Sequence, residues 1–259
     1  MEFQINNRRI GPKTPVYIVA EISANHHQDF DQAVKLIEAA KKAGADAVKL
    51  QTYTPDTITI DCEDSYFQAG RGTPWEGRLL YDLYSEAFTP WEWQPKLKKI
   101  ADEIEIDLFS TPFDHTAVDF LEKMDVPAYK IASFEIVDIP MIQKIAKTGK
   151  PIIMSTGMAT LSEIEEAIHT IRKEGNNQTA LLKCTSSYPA LPEDMNLATI
   201  PHMAEAFDLI VGLSDHTLDV AVPVAAVTLG ARIIEKHFTL SRDFQGPDSD
   251  FSLEPDELK

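Results

Sequence analysis

Short apolar runs alternate with amphipathic stretches along almost the whole chain. Runs such as PIIM and LIVGL are nearly continuously apolar, which is typical of parallel strands that are buried on both faces. Eight such runs predict β-strands, over residues 16–23, 47–53, 107–113, 128–133, 151–157, 179–187, 209–217 and 232–240. Eight strands that alternate with helices predict an α/β fold, the closed (β/α)8 or TIM barrel.

The segments between these runs carry helix signals. Residues 31–44 repeat apolar positions with the helical period and end on Gly44, a residue suited to the position after a helix. Residues 160–175 begin with Thr160 and Glu163 in capping-box spacing and close on Gly175. These stretches predict helices that cover the outside of the barrel.

Two segments depart from the alternation. Residues 54–90 show no helical period and are rich in polar and aromatic side chains, which favours a packed functional loop with a short helix at LLYDLYSEA. After the eighth strand, the sequence stops where an eighth helix would be starting. We therefore expect one TIM-barrel domain over residues 1–259, truncated at the start of its last helix.

Composition narrows the functional classes. The 259 residues are about what one such barrel needs. They include 41 acidic and 24 basic side chains, a net charge of −17, which argues against nucleic-acid and anionic-membrane partners. The chain shows no signal peptide, no membrane-length apolar stretch and no CxxC motif. These features predict a cytoplasmic protein.

Polar side chains collect at the carboxyl ends of the predicted strands, where barrels place catalytic groups. In chain order they are Glu21, Lys49, Gln51, Thr111, Lys130, Ser133, Glu135, Ser155, Ser186, Tyr188, Ser214, His216 and His237. Lys49 and Lys130 interrupt apolar runs, and a buried ammonium group needs an anionic partner. That partner is either a structural carboxylate, Glu21 or Glu135, or an anionic ligand such as a phosphate or a carboxylate.

His216 and His237 are the candidate metal ligands. They end neighbouring strands, with the inward phase set by the pairs Ser214/His216 and Glu235/His237. The alternative is that both are ordinary core or surface histidines. A divalent ion on two imidazoles keeps open positions for water and substrate oxygens, which suits Lewis-acid chemistry. Asp248 is placed to complete the site or to orient its water.

The chain contains neither a Walker A loop nor a GxGxxG motif, so nucleotide-dependent classes have no support. It does contain, in order, AEISANHHQD, DAVKLQTY, FSTPFD, YKIASFEI, PIIMSTGMAT, LLKCTSSYP, GLSDHT and IEKHFT. Together these motifs resemble the sialic acid synthase family over nearly the whole chain. The resemblance implies a (β/α)8 barrel that condenses phosphoenolpyruvate with an amino-sugar aldehyde, assisted by a divalent metal, Mn²⁺ first and Mg²⁺ or Co²⁺ as alternatives.

The segment WEGRLLYDLYSEAFTPWEW resembles the pseudaminate branch of that family. Members of this branch use 2,4-diacetamido-2,4,6-trideoxy-L-altrose as the sugar. The alternatives are an N-acetylneuraminate or legionaminate synthase for cell-surface or spore-coat polysaccharide, and a non-catalytic barrel that binds a phosphorylated metabolite or a partner protein.

The same resemblance implies a role for each polar strand end. Lys49 and Thr111 would face the carboxylate of phosphoenolpyruvate. The residues around its phosphate would be Lys130, Ser133, Ser155, Ser186 and Ser214. His216 and His237 would hold the metal, and Glu135 would be the acid/base group. Contacts to the sugar, to metal-bound water or to both would come from Glu21, Gln51, Tyr188 and Asp248, of which Glu21 and Asp248 are further catalytic candidates.

Two departures from the family pattern affect these expectations. Ser186 stands where many N-acetylneuraminate synthases have asparagine. The family also carries a small C-terminal antifreeze-like (SAF) domain that caps the partner subunit's barrel in a homodimer, and these 259 residues lack it. We therefore expect weak sugar binding and turnover from the barrel alone, and we leave the homodimer open.

Overall fold

The computed structural model describes residues 3–259. Eight parallel strands close into a barrel in the order β10-β3-β4-β5-β6-β7-β8-β9. Their bounds are β3 Tyr17–Glu21, β4 Ala47–Thr52, β5 Asp107–Pro112, β6 Tyr129–Ile131, β7 Ile152–Ser155, β8 Thr179–Cys184, β9 Ile210–Asp215 and β10 Ile233–His237. Each lies within one of the eight predicted spans, so the TIM barrel is confirmed.

The pairing register aligns the polar strand ends at one mouth. The last strand closes on the first with His237 beside Glu21, and Glu21 is in turn paired with Lys49. On the other flank of β10, Ser214 of β9 pairs with Glu235 of β10 and with Cys184 of β8. Because all eight strands are parallel, their carboxyl ends emerge on the same side.

Helices follow the strands and cover the barrel. They are α1 Phe30–Ala43, α4 Gln94–Glu103, α5 His115–Lys123, α6 Ile139–Ala146, α7 Leu161–Lys173, α8 Thr199–Phe207 and α9 Ala221–Thr228. The predicted helix ends are confirmed: Gly44, at φ 101°, directly follows α1, and Thr160 and Glu163 form the capping box of α7. The long connection after β4 contains α2 Pro55–Ile58 and α3 Leu80–Ala87, which confirms its short helix.

A hairpin that the sequence analysis did not predict covers the amino end of the barrel. It consists of β1 Phe3–Ile5 and β2 Arg8–Ile10, paired antiparallel. Its apolar side chains Phe3, Ile5 and Ile10 are at most 1% exposed and belong to the main core cluster. The amino end is thereby filled with apolar side chains, and the carboxyl end is left as the accessible mouth.

After β10 the chain returns over the mouth. It passes through short 3-10 turns at Arg242–Phe244 and Ser249–Phe251 and then forms α10, Pro255–Leu258. The Leu253 amide donates to the His237 carbonyl at 2.8 Å, which holds this segment against the end of β10. Among residues 3–259, no helix is both long and apolar enough to cross a membrane.

Candidate active site

The side chains singled out in the sequence lie together at the carboxyl end of the barrel. Nine of them are at most 9% exposed: Glu21, Lys49, Thr111, Lys130, Ser133, Ser155, Ser214, His216 and Asp248. The other five are partly buried: Gln51, Glu135, Ser186, Tyr188 and His237. Polar strand ends that merely emerge into solvent would be exposed. Burying so many polar groups is unfavourable unless they form hydrogen bonds or ion pairs with one another or with a ligand.

Four charged side chains form a buried group that we call the mouth cluster: Glu21, Lys49, Lys130 and Glu235. The Lys49 ammonium lies 2.9 Å from Glu21 Oε2 and 3.3 Å from Glu235 Oε1, and Lys130 Nζ lies 3.6 Å from the same Glu235 oxygen. Both lysines therefore have a carboxylate partner. Glu21 is one of the two carboxylates expected; the other, Glu135, forms no ion pair with either lysine within residues 3–259.

Within the mouth cluster, opposite charges counteract the effect of burial on the pKa values. Burial alone would lower the pKa of Lys49, but Glu21 and Glu235 outweigh it and raise that pKa. Burial alone would raise the pKa of Glu235, but Lys130 and Lys49 lower it. At the other two members burial dominates, raising the pKa of Glu21 and lowering that of Lys130. The cluster thus keeps Lys49 charged in a place where an isolated ammonium would lose its proton.

Hydroxyl groups surround the two lysines. Lys130 Nζ donates to Ser155 Oγ at 2.8 Å, and Lys49 Nζ donates to Thr111 Oγ1 at 3.4 Å. Ser214 Oγ donates to a carboxylate of the mouth cluster at 3.2 Å. Ammonium and hydroxyl donors gathered in this way match the acceptors of a phosphate or a carboxylate.

A close approach of two loops adds the remaining hydroxyls. The amide of Gly157 donates to Ser133 Oγ at 3.0 Å. A Cβ at position 157 would collide with Ser186 Oγ and would lie 2.9 Å from Ser133 Oγ. Glycine is therefore required for Ser133 and Ser186 to share this side of the mouth.

The two histidines lie side by side. Their ring centroids are 5.4 Å apart. His216 Nδ1 lies 2.9 Å from the Thr185 carbonyl oxygen, which fixes the proton on Nδ1 and leaves Nε2 as a ligand atom. His237 Nδ1 is buried and has no hydrogen-bond partner within residues 3–259. Burial holds the pKa of His237 well below its usual value, so its ring is neutral, as a metal ligand must be.

These features fit a divalent ion held by two imidazoles. Within residues 3–259, however, no group of three or more histidine, cysteine, aspartate and glutamate side chains is arranged to hold a metal. Asp248 is therefore not gathered with His216 and His237 as a third ligand. Of its two expected roles, only the orientation of water or substrate stays a prediction.

Asp248 instead belongs to a hydrogen-bond network with two other predicted residues. Its Oδ2 accepts from the Ser23 hydroxyl and, at 3.4 Å, from the Ala24 amide. Gln51 Nε2 donates to Ser23 Oγ at 3.0 Å and to Glu21 Oε1 at 2.9 Å. The network links the segment after β10 to the ends of the first two barrel strands and to the mouth cluster.

Glu135 lies apart from the ion pairs. It begins the 3-10 turn Glu135–Val137 after β6, and its Oε2 is buried with no hydrogen-bond partner in the described part of the chain. Burial raises its pKa to about 7, against a smaller lowering by its own backbone amide and by Lys130. A carboxyl group with a pKa near neutrality can both take and give a proton, which suits acid/base catalysis.

The sequence analysis missed two kinds of residue here. Glu235 was used only to set the phase of β10, although its spacing from His237 already placed it on the inward face. Trp75 and Phe251 were not considered at all, since they lie outside the strands. Trp75 lies 5.8 Å from the Tyr188 ring, and Phe251 lies 4.9 Å from His237, centroid to centroid. No periodicity marks such loop contacts.

Comparison with known proteins identifies the family of this chain. Residues 36–259 match the NeuB family. The chain is 47% identical to a pseudaminic acid synthase of Helicobacter pylori over 93% of its own length and 70% of the relative's. It is 38% identical to an N,N'-diacetyllegionaminic acid synthase of Legionella pneumophila, covering 98% of this chain and 74% of that one.

A solved structure gives the same result. The N-acetylneuraminic acid (sialic acid) synthetase of Leptospira borgpetersenii superposes with a TM-score of 0.90 at 34% identity, covering 100% of this chain and 85% of that one. From the match to the family and the similarity to these relatives, the chain belongs to the NeuB family, the sialic acid synthase family.

Proposed function

We propose that this protein condenses phosphoenolpyruvate with a 2,4-diacetamido-2,4,6-trideoxy hexose of the altrose type, giving pseudaminic acid and phosphate in the cytoplasm. The observation that carries the proposal is the position of a two-lysine mouth cluster next to a pair of histidines. The lysines can bind an anionic substrate, and the histidines can hold a metal that polarises a carbonyl group in the same site. The 47% identity to pseudaminic acid synthases supports the choice of sugar.

Phosphoenolpyruvate has two anionic groups, and the mouth offers two ammonium groups. We assign its carboxylate to Lys49 and Thr111, which already contact each other at 3.4 Å. We assign its phosphate to Lys130 and to the hydroxyls of Ser133, Ser155, Ser186 and Ser214. Glu21 and Glu235 keep Lys49 protonated, and Glu235 also lies beside Lys130, so the donors are organised before the substrate arrives.

We assign a divalent ion, Mn²⁺ first and Mg²⁺ or Co²⁺ as alternatives, to His216 and His237. When bound, the ion supplies Lewis-acid polarisation of the sugar's carbonyl oxygen. The protein's own part is to hold both rings: His216 through the Thr185 carbonyl, and His237 through the packing of Tyr188 and Phe251 around it. The Asp248 network, with Gln51 and Glu21, orients the sugar or its water beside them.

The reaction forms one carbon–carbon bond and breaks one carbon–oxygen bond. C3 of phosphoenolpyruvate attacks the carbonyl carbon of the open-chain sugar, and water adds to C2. The C2–O bond then breaks, and phosphate leaves with the bridging oxygen. One water is consumed, with one of its protons ending on the new sugar hydroxyl and the other on phosphate. Glu135 Oε2 is the group that we assign to take the proton from the attacking water.

Phosphate release with three aldehydes tests the choice of substrate. The protein is incubated with phosphoenolpyruvate, Mn²⁺ and one of three sugars: the trideoxy altrose derivative, its manno isomer for legionaminate, or N-acetylmannosamine. We expect the altrose derivative to give the highest kcat/KM. Release with N-acetylmannosamine alone would refute the pseudaminate assignment and favour the N-acetylneuraminate alternative.

Calorimetry with phosphoenolpyruvate tests for binding, and phosphate release separates the enzyme from the non-catalytic alternative. A barrel that only binds a phosphorylated metabolite would bind phosphoenolpyruvate and release no phosphate with any of the sugars. The family's homodimer and its SAF domain stay predictions from the resemblance.

A further inference from the structure

Trp75 lies at the tip of a hydrogen-bonded turn that reaches back over the mouth. The turn is closed by the Gln68–Leu79 bridge and by the Gly77 amide, which donates to the Ala69 carbonyl at 3.1 Å. Gly77 has a φ of 78°, a conformation that glycine adopts without strain. The tip of the turn is therefore set by the backbone and not only by the tryptophan.

The indole contacts the segment after β10. Its Nε1 donates to the Pro247 carbonyl at 2.7 Å, next to Asp248 in the chain. Its ring centroid lies 5.8 Å from that of Tyr188 and 6.1 Å from that of Phe251. Through Trp75, the loop after β4 therefore contacts the loops after β8 and β10 at one point.

Tyr188 and Phe251 are themselves packed on the histidines. The Tyr188 ring lies 4.2 Å from His216, the Phe251 ring lies 4.9 Å from His237, and the two aromatic rings are 5.4 Å apart. We call Trp75, Tyr188 and Phe251 the aromatic wall. A sugar whose carbonyl oxygen is held beside the histidines has to extend its carbon chain past this wall.

The indole offers no free hydrogen-bond donor, because its only N–H group is used by Pro247. A sugar hydroxyl packed against this ring would lose water without a replacement from it, whereas a methyl group would gain from leaving water. We propose that Trp75 determines specificity by giving the aromatic wall an apolar surface that selects a sugar ending in methyl over one ending in hydroxymethyl. This inference rests on the proposed condensation.

A second tryptophan provides a matched control. Trp91 Nε1 donates to the Tyr53 carbonyl at 3.0 Å, and its ring packs on Phe120 of α5 with centroids 4.8 Å apart. Like Trp75, it is partly buried, and it joins an indole–carbonyl hydrogen bond to an aromatic contact. It contacts the helical layer instead of the histidines. If the indole hydrogen bond served only to stabilise the fold, replacing Trp75 and replacing Trp91 would have the same effect on sugar binding.

The test uses two unreactive probes that differ by one hydroxyl group: 2,4-diacetamido-2,4,6-trideoxy-L-altritol and its 6-hydroxy counterpart. Their dissociation constants are measured by calorimetry with Mn²⁺ for the unaltered protein, Trp75→Gln, Trp75→Phe and Trp91→Phe. We expect the unaltered protein to prefer the deoxy probe by about 10-fold or more, and Trp75→Gln to reduce that preference to about 2-fold. Trp75→Phe and Trp91→Phe should keep the preference, because an apolar ring remains at position 75.

Kinetics with the corresponding aldehydes provide the second readout. Trp75→Gln should raise KM for the deoxy sugar while KM for phosphoenolpyruvate stays within about 2-fold, since an apolar contact to the sugar contributes nothing to the other substrate. Trp75→Phe keeps an aromatic ring at this position and is expected to fold, so its probe preference can still overturn the inference if Trp75→Gln is unstable.

Each outcome decides between the possibilities. An unchanged probe preference in Trp75→Gln overturns the inference. It is also overturned if Trp75→Gln and Trp75→Phe both lose affinity equally for the two sugars and for phosphoenolpyruvate, because that result would indicate a structural role. Loss of the preference in Trp75→Phe also overturns it, since the hydrogen bond and not the apolar surface would then be responsible. An unaltered protein that turns over its sugar without preferring methyl overturns the inference alone. A protein that binds neither probe and releases no phosphate refutes the proposed function together with the inference.

Discussion

Two groups of buried ions lie on opposite faces of the barrel wall and differ in how completely they are satisfied: β10 contributes Glu235 to the mouth cluster and Lys236 to an outer ion pair with Asp215. Outside the barrel, Lys236 Nζ lies 2.7 Å from Asp215 Oδ2 and also donates to the carbonyls of Thr217 and Asp219 at 2.5 and 3.0 Å. All three ammonium protons have acceptors, and Lys236 is 2% exposed. This outer ion pair is complete without any ligand.

The mouth cluster is incomplete by comparison. Its lysine–carboxylate distances are 2.9, 3.3 and 3.6 Å, and Glu235 Oε2 is buried with no hydrogen-bond partner among residues 3–259. Buried polar groups left this way are costly, and they occur where a ligand or a reaction uses them. Asp215 and His216, adjacent in sequence, show the division directly: Asp215 faces the outer ion pair and His216 faces the mouth.

The largest expected effect of breaking the mouth is the loss of metal binding. His216→Ala and His237→Ala should each abolish metal-dependent phosphate release and weaken Mn²⁺ binding by about 100-fold or more, since losing only a residue that hydrogen-bonds to a metal ligand already costs about 10- to 100-fold. Calorimetry with Mn²⁺ measures the affinity, and circular dichroism checks that the fold is kept. Unchanged Mn²⁺ affinity in both variants would remove these residues from the metal site.

Next in size is the loss of a mouth lysine. Lys130→Met should lower kcat/KM for phosphoenolpyruvate by about 1,000-fold, because it removes an ammonium group assigned to the phosphate. The fold should tolerate the change, because Glu235 remains 3.3 Å from Lys49. Steady-state kinetics and thermal unfolding together measure both quantities. A large loss of stability with near-normal kinetics would contradict the assignment of Lys130 to substrate binding and would give the mouth cluster the stabilising role assigned to the outer ion pair.

The outer ion pair should respond in the opposite way. Lys236→Met leaves Asp215 buried without its cation, which we expect to cost about 3–5 kcal/mol of unfolding free energy. The double variant Lys236→Met/Asp215→Asn should recover most of that loss, because no charge is then left unpaired and an amide oxygen can still accept from Thr217. Urea unfolding measures both variants. If the single variant is as stable as the unaltered protein, the outer pair does not stabilise the barrel.

The smallest effect concerns Glu135 and is a pH dependence. Because burial raises its pKa from 4.5 to about 7, the folded chain binds this proton more tightly than the unfolded chain. Its contribution to stability is therefore largest at low pH and is lost as the pH rises through 7. The charged groups that act on it are Lys130 and Lys49, which lower its pKa, and Asp138, which raises it, while Tyr84 lies close by.

Glu135→Gln removes this titration. The variant should be more stable than the unaltered protein by up to about 3 kcal/mol near pH 8 and little different near pH 5, since each pKa unit corresponds to about 1.4 kcal/mol. Its phosphate release should fall at every pH. Urea unfolding at the two pH values provides the comparison. A stability difference that is the same at both would show that Glu135 titrates normally.

The sequence predicted the barrel well because its strands carry a local signal. A run such as PIIM is apolar wherever the chain places it, and the phase of a strand decides which side chains point inward. This is enough to bring Lys49, Lys130 and His237 to one mouth. The partner of Lys130 was harder: Glu235 follows it by more than 100 residues, and only closure of the barrel brings the two together.

Features that depend on packing between loops were not predictable in this way. The hairpin at the amino end is two strands of three residues each, too short to show a period. Trp75 reaches the histidines only through Tyr188 and Phe251, contacts between segments that no spacing rule connects. Such positions follow from the tertiary structure, and in this molecule they surround the candidate sugar site.

The most direct test of the central claim follows the bridging oxygen of phosphoenolpyruvate. The substrate is labelled with ¹⁸O at that position and incubated with the protein, Mn²⁺ and the trideoxy altrose derivative, and both products are analysed by mass spectrometry. The account predicts pseudaminic acid without label and phosphate that carries it, because the C2–O bond breaks. Label retained in the sugar acid, or phosphate release without any nine-carbon product, would contradict it.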